Sequence, residues 1–229
     1  MTRTLKPIAE NSKKQITSFW NHFKNNEQQI LYAVLFGYKT EEVLGLLFKN
    51  LNTVSKGIDF LFNSHSEDKD KFIILFSGNG NPKLFAKMMA IENQAPELKH
   101  FIAQAFIKPL ENPARYKDGT DKPCWCRNYE IKISEIQMAL LDYNMATKQL
   151  KINLYLPDYD KLKDYDGLKE DINWIVMCII GEIAYFKNIK EINLHPIPVE
   201  PFGLLSLLDL TNYIDYLYQI NSRKKTRLI

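Results

Sequence analysis

Ile16, Phe19, Trp20 and Phe23 recur at i, i+3, i+4 and i+7, the spacing that lines one face of a helix, and Ser12 stands where a cap would. Asn26 restarts or continues that helix through Ile30, Ala33 and Val34 until Gly37 ends it. Thr40 then caps a second helix with apolar positions Val43, Leu44, Leu47, Phe48, Leu51 and Val54, closed by Gly57. The short connection predicts an antiparallel helical pair.

The period then changes. Ile58, Phe60 and Phe62 alternate with Asp59, Leu61 and Asn63, residues 64–71 form a polar turn, and 72–76 is a continuous apolar strand, which together predict an antiparallel hairpin. The run Gly78-Asn79-Gly80-Asn81-Pro82 breaks the strand and starts a helix, with Asn81 as cap and Pro82 in its first position. That helix ends near Gln94, and 100–107 reads as a third strand stopped by Pro109. A long polar loop follows over 110–127. Tyr129, Ile131 and Ile133 alternate, 136–141 stays apolar, and Leu150, Ile152, Leu154 and Leu156 alternate around a turn at 143–148. These are two more antiparallel strands with one face on a core.

An acidic linker, 157–166, leads to the most apolar segment of the chain, 174–186, read as one buried helix. A short strand at 191–194, three prolines (Pro196, Pro198, Pro201) and a last helix from about 205 to 218 complete the pass. Strands flanked by runs of helices, without regular βαβ alternation, predict an α+β fold. The expected architecture is an antiparallel sheet of about five to six strands with helices packed on one face and an N-terminal helical pair. It is read as a single domain over 1–229, with an arm at 1–13 and a basic tail at 220–229.

Composition narrows the class. The chain has 229 residues, 45% apolar and 12% aromatic, enough for a real core. Its net charge of +3 includes only five arginines, so no nucleic-acid partner is expected. The local basic run at 223–227 reads as a solvated tail. Three cysteines and an N-terminus without an apolar leader place the chain in the cytoplasm with reduced thiols. The 13 residues of 174–186 fall short of the roughly 20 that cross a bilayer, so no membrane association is expected.

The chemical motifs are sparse. Gly78-Asn79-Gly80 invites a phosphate cradle, yet Lys83 breaks the GxGxxG spacing, and a turn before a helix accounts for the residues. Cys124-Trp125-Cys126 has one residue between the thiols where zinc ribbons use at least two, and His22, His65, His100 and His195 are scattered. Asp158, Asp160, Asp164 and Asp166 lack the glycine and closing glutamate of a calcium loop. Cys178, four residues before Glu182, reads as a core residue. No cofactor and no metal are therefore expected.

Glu182 remains, an isolated carboxylate in the apolar segment, directly after Gly181. Burying an unpaired charge is costly, so it is either a structural carboxylate answered by Lys108, Arg115, Arg127 or a backbone N–H, or an acid, base or ligand in a cleft. Gly181, unfavourable in a helix by about 1 kcal/mol, suggests close approach of another backbone. The chain also resembles a group of uncharacterised bacterial proteins. The resemblance is carried by Phe19-Trp20-Asn21-His22-Phe23 with Asn26, Ala95-Pro96-Glu97-Leu98, Ala105-Phe106-Ile107-Lys108-Pro109, and Ile180-Gly181-Glu182 followed by Ile192-Asn193-Leu194-His195-Pro196. It covers about residues 16 to 210 and implies a compact α+β domain without assigning chemistry. The expected function is a non-enzymatic cytoplasmic binding or regulatory module presenting a polar sheet face such as Lys132, Lys151, Asn153 and Tyr155. Its expected partner is a protein or a second copy of the chain, the latter through the Trp20-bearing helix. The alternative is a small enzyme using Glu182 in a cleft near His195.

Overall fold

The computed structural model describes residues 10–64, 70–126 and 129–226. Residues 1–9 of the arm, His65, Arg127 and Arg227 lie outside the described residues, as do the side chains of Trp125 and of residues 221–226. Contacts gather the chain into two compact units, Met1–Ile107 and Lys108–Ile229, each with its own buried cluster.

The first unit begins with three helices, α1 (Glu10–Asn25), α2 (Glu27–Phe36) and α3 (Thr40–Val54), rather than a pair. Asn26 divides α1 from α2, its side-chain amide donating to the His22 carbonyl at 2.8 Å. Gly37 closes α2 in the left-handed conformation, its N–H on the Ala33 carbonyl, as a glycine after a helix should. Thr40 is not a cap. Lys39 takes that position with a φ of 50°, and the Thr40 hydroxyl instead donates to the Ala33 carbonyl.

Three strands complete the unit: β1 (Asp59–Ser64), β2 (Phe72–Ser77) and, after α4 (Phe85–Asn93), β3 (Phe101–Ala105). β1 and β2 form the expected hairpin, with Asp59 opposite Ser77. β3 differs from expectation, pairing parallel to β2 with Phe72 opposite Phe101. The cause is α4, because a helical crossover returns the chain to the end where the previous strand began. The α1 stripe is buried, with Phe19 and Trp20 each edge-on to Phe76 at 5.9 Å and Phe23 edge-on to Phe101 at 5.2 Å. The Trp20 indole N–H donates to the Ile91 carbonyl at 2.8 Å, so this face is spent inside the unit and is not open for dimerisation.

The second unit holds β4 (Cys124–Cys126), β5 (Tyr129–Ile131), β6 (Gln137–Asn144), β7 (Gln149–Leu156), α5 (Tyr159–Leu162), α6 (Leu168–Ile180), α7 (Glu182–Asn188), β8 (Ile189–Pro196), β9 (Leu205–Ser206) and α8 (Leu210–Thr226). β4 and β5 form a short ribbon, and the main sheet has the order β8-β7-β6-β9. Here too one pair, β7 with β8, is parallel, again across a helical connection. The fold is thus mixed α+β with a three-stranded and a four-stranded mixed sheet, which replace the single antiparallel sheet of five to six strands. Leu150, Ile152, Leu154 and Leu156 all face the core, where α6, α7 and α8 contribute Ile175, Ala184 and Ile214. The last helix runs through Thr226, so the backbone of 220–226 is helical and not a loose tail. Among the described residues, no helix is long and apolar enough to cross a membrane.

The segment read as one apolar helix is two. Gly181 has φ 82° and ψ 151°, a region essentially reserved for glycine, and it ends α6 and opens α7. Glu182 is therefore the first residue of a second helix and not an interruption of the first. Gly181→Ala is expected to lower the unfolding free energy by about 1–3 kcal/mol. Gly45→Ala, inside α3 where an added Cβ meets nothing within 4 Å, should raise it by about 0.5–1 kcal/mol. Denaturant unfolding of both variants checks the opposite signs.

Candidate functional site

Glu182 is 0% exposed and is engaged in at least one polar or electrostatic interaction. It sits at the start of α7, whose Ala184 and Tyr185 pack on the core cluster of the second unit. The end of α7 is tied by Asn188, which is also buried: its amide donates to the Ala184 carbonyl, and its oxygen accepts from the Tyr218 hydroxyl at 2.7 Å. His195 lies elsewhere. On β8 the core positions are Ile192 and Leu194, so His195 points to the other face of the sheet. There it stands opposite Tyr155, with ring centroids 5.6 Å apart. The sheet therefore runs between the two expected site residues.

The face that carries His195 is polar along its length. Lys151 pairs with Glu191 at 3.0 Å, Asn193 donates to Asn153 at 3.2 Å, and Gln137, Tyr155 and His195 form a row across β6, β7 and β8. Gln137 Oε1 and His195 Nε2, the outer members of that row, are buried and have no hydrogen-bond partner among the described residues. Three of the four side chains expected on a polar sheet face are here. Lys132 is not, since it precedes the 3₁₀ turn Ile133–Glu135 and its ammonium donates to the Gly119 carbonyl at 2.9 Å.

A different site gathers all three cysteines. Asp171, Trp174, Ile175 and Cys178 share one stripe of α6 at i, i+3, i+4 and i+7, and Cys124 and Cys126, two apart on β4, point to the same side. With Ile133 they enclose a pocket of about 250 Å³. The loop leading into β4 is held by Asp121, which accepts from the Ser134 N–H at 3.1 Å and its hydroxyl at 2.6 Å. A second cavity of about 290 Å³ lies between α7 and α8, with Lys187, Asn188, Asp215 and Tyr218 in its wall. Neither cavity is lined by Glu182 or His195.

The thiols of the first pocket are held in the protonated form. Burial pushes both Cys126 and Cys178 up to about 11, helped at Cys126 by Asp171 and then Cys124, and at Cys178 by Cys124. Cys124 is also raised, by burial and then by Asp121. At neutral pH these are soft, polarisable and nearly apolar groups rather than nucleophiles. Among the described residues, no group of three or more His, Cys, Asp or Glu is arranged to hold a metal ion. Asp171 is the one charged group in the pocket wall. Its carboxylate makes no hydrogen bond or ion pair among the described residues.

The convergence of Cys178 on Cys124 and Cys126 escaped the sequence reading, although the 171/174/175/178 spacing of an amphipathic stripe was the signal for it. The chain matches no protein-family model, no curated protein and no solved structure.

Two outcomes are expected. At pH 8 a thiol with a pKa of about 11 is thiolate about a hundred times less often than one near 9, so iodoacetamide should modify native Cys126 and Cys178 at least ~100-fold more slowly than the unfolded chain. Residue-resolved mass spectrometry should show those rates still climbing about tenfold between pH 9 and 10. Separately, Glu182→Gln should lower the unfolding free energy by about 1–3 kcal/mol, because it weakens a buried, answered carboxylate.

Proposed function

We propose that the chain is a non-enzymatic cytoplasmic binding module, and that its ligand is a small organic cation with an apolar body seated between β4 and α6. The single observation that carries this reading is Asp171: a carboxylate without an ion pair among the described residues, in the wall of a pocket otherwise lined by thiols, isoleucines and the Trp174 ring. A partly buried carboxylate gains most from a positive charge at short range, because the apolar surroundings weaken solvent screening. Trp174 adds an indole ring to the wall, a group whose face attracts the same charge. The thiols and isoleucines suit a hydrocarbon body.

At about 250 Å³ the pocket is smaller than the roughly 300–1,000 Å³ of drug-sized sites, so the ligand is the size of a small amine or of one cationic side chain. Two features favour binding over catalysis. The thiols are pushed away from the reactive thiolate, and the Glu182 and His195 pair is separated by the sheet. Three free cysteines accord with a reducing compartment.

Isothermal titration of the full chain with phenethylammonium and with its neutral analogue 2-phenylethanol tests the reading. The cation should bind about tenfold more tightly than the alcohol, and Asp171→Asn should remove that preference while leaving the alcohol's affinity unchanged. Equal affinity of the two probes for the native chain, or no binding of either at millimolar concentration, would overturn it.

A further inference from the structure

One departure from an ordinary surface lies in the first unit, on a single helix face. The buried face of α2 presents Ile30, Leu31 and Ala33 to the core. Its opposite face carries Tyr32 (48% exposed), Leu35 (49%) and Phe36 (70%) at i, i+3 and i+4, followed in the next turn by Tyr38 (63%). The rings of Tyr32 and Phe36 lie 5.8 Å apart, so these side chains form a patch rather than scattered exposures.

Charge says what fits the patch. Residues 28–38, eleven in a row, contain no ionisable acid or base except the two tyrosines. The charges at its two ends have partners within the unit: the Glu27 carboxylate accepts the His100 backbone N–H at 2.7 Å, and Lys39, whose ammonium lies 5.8 Å from the Tyr38 ring centroid at the border of the patch, pairs with Glu42 at 3.7 Å. A two-fold contact sets each group near its axis against its own copy, so any net charge there repels itself. The stretch 28–38 contributes no such charge, and the one cation at its border, Lys39, has Glu42 beside it. A partner recognised by electrostatic steering would instead find nothing to read.

Area agrees with this. With roughly 200 Å² on each of these large side chains, their exposures leave about 450 Å² of accessible surface on each copy, most of it apolar. A two-fold contact would bury about 900 Å² from these four residues, and a modest rim carries the total past the roughly 1,000 Å² that a specific interface needs. We propose that the exposed face of α2, with Tyr38, is the interface of a two-fold homodimer of this chain.

Light scattering coupled to size exclusion, run on the full chain from about 1 to 100 µM, should show the mass rising to that of two chains. Phe36→Glu should weaken the association at least tenfold, as should Tyr38→Glu, which serves if the first variant does not fold. An equimolar mixture of Phe36→Glu and Phe36→Lys should recover the dimer, because the opposed charges then attract across the axis. A chain that stays monomeric throughout, a dimer indifferent to both glutamate substitutions, or a mixture that fails to recover would each overturn the proposal.

Discussion

A single backbone conformation organises the second unit. Gly181 at φ 82° and ψ 151° separates α6 from α7, and the separation decides which side chains are buried on either side of it. Had the helix continued, the buried stripe of Ile172, Val176 and Ile179 would have extended at the same spacing to Ile183 and Phe186. Instead Ile183 and Phe186 are 44% and 37% exposed, while Glu182 and Asn188 are buried. The break thus turns two large apolar groups outward and two polar groups inward. That exchange is tolerable only because the inward groups are answered, Asn188 by Tyr218 and Ala184, and Glu182 by its own polar or electrostatic contact.

This is also where sequence reading reached its limit. An apolar run of this length reads as one helix, because periodicity is continuous through Gly181 and nothing local distinguishes a helical glycine from one at positive φ. The glycine was visible and its meaning was not: close approach and forbidden dihedral angles ask for the same residue. By contrast the α1 stripe was legible in full, since Ile16, Phe19, Trp20 and Phe23 all sit at one period and all are buried. Strand direction was legible only indirectly. The alternation in β7 says which side chains face the core, and it says nothing about whether β8 runs with it or against it. Direction follows from the connection, and both parallel pairs span helical crossovers, α4 in one unit and α5 to α7 in the other.

The site shows a similar division. Glu182 and His195 drew notice because a charge among apolar residues is conspicuous in one dimension. In three, they belong to opposite faces of one sheet, and the conspicuous carboxylate is part of the packing of α7. The residues that do converge are the less conspicuous ones. In the sequence Cys178 reads as a core residue of the apolar helix and Cys124 and Cys126 as a pair spaced too closely for a zinc ribbon; in the structure β4 and the α6 stripe bring all three to one pocket. Each alone is an ordinary structural cysteine, and only their meeting makes a pocket.

The chemistry of that pocket follows from how few charges it contains. Thiols near pKa 11 stay neutral at physiological pH, so Asp171 supplies the only strong field in the wall. Burial and Asp171 both oppose ionisation of Cys126, and a cation drawn to Asp171 would partly cancel the second of these effects. The thiol pKa and the occupancy of the pocket are therefore linked: a bound cation lowers the Cys126 pKa, and by reciprocity ionising Cys126 tightens the cation. The shifts take this direction only if the ligand is positively charged. A neutral ligand, which would merely displace water from the thiols, would raise the pKa further through added burial.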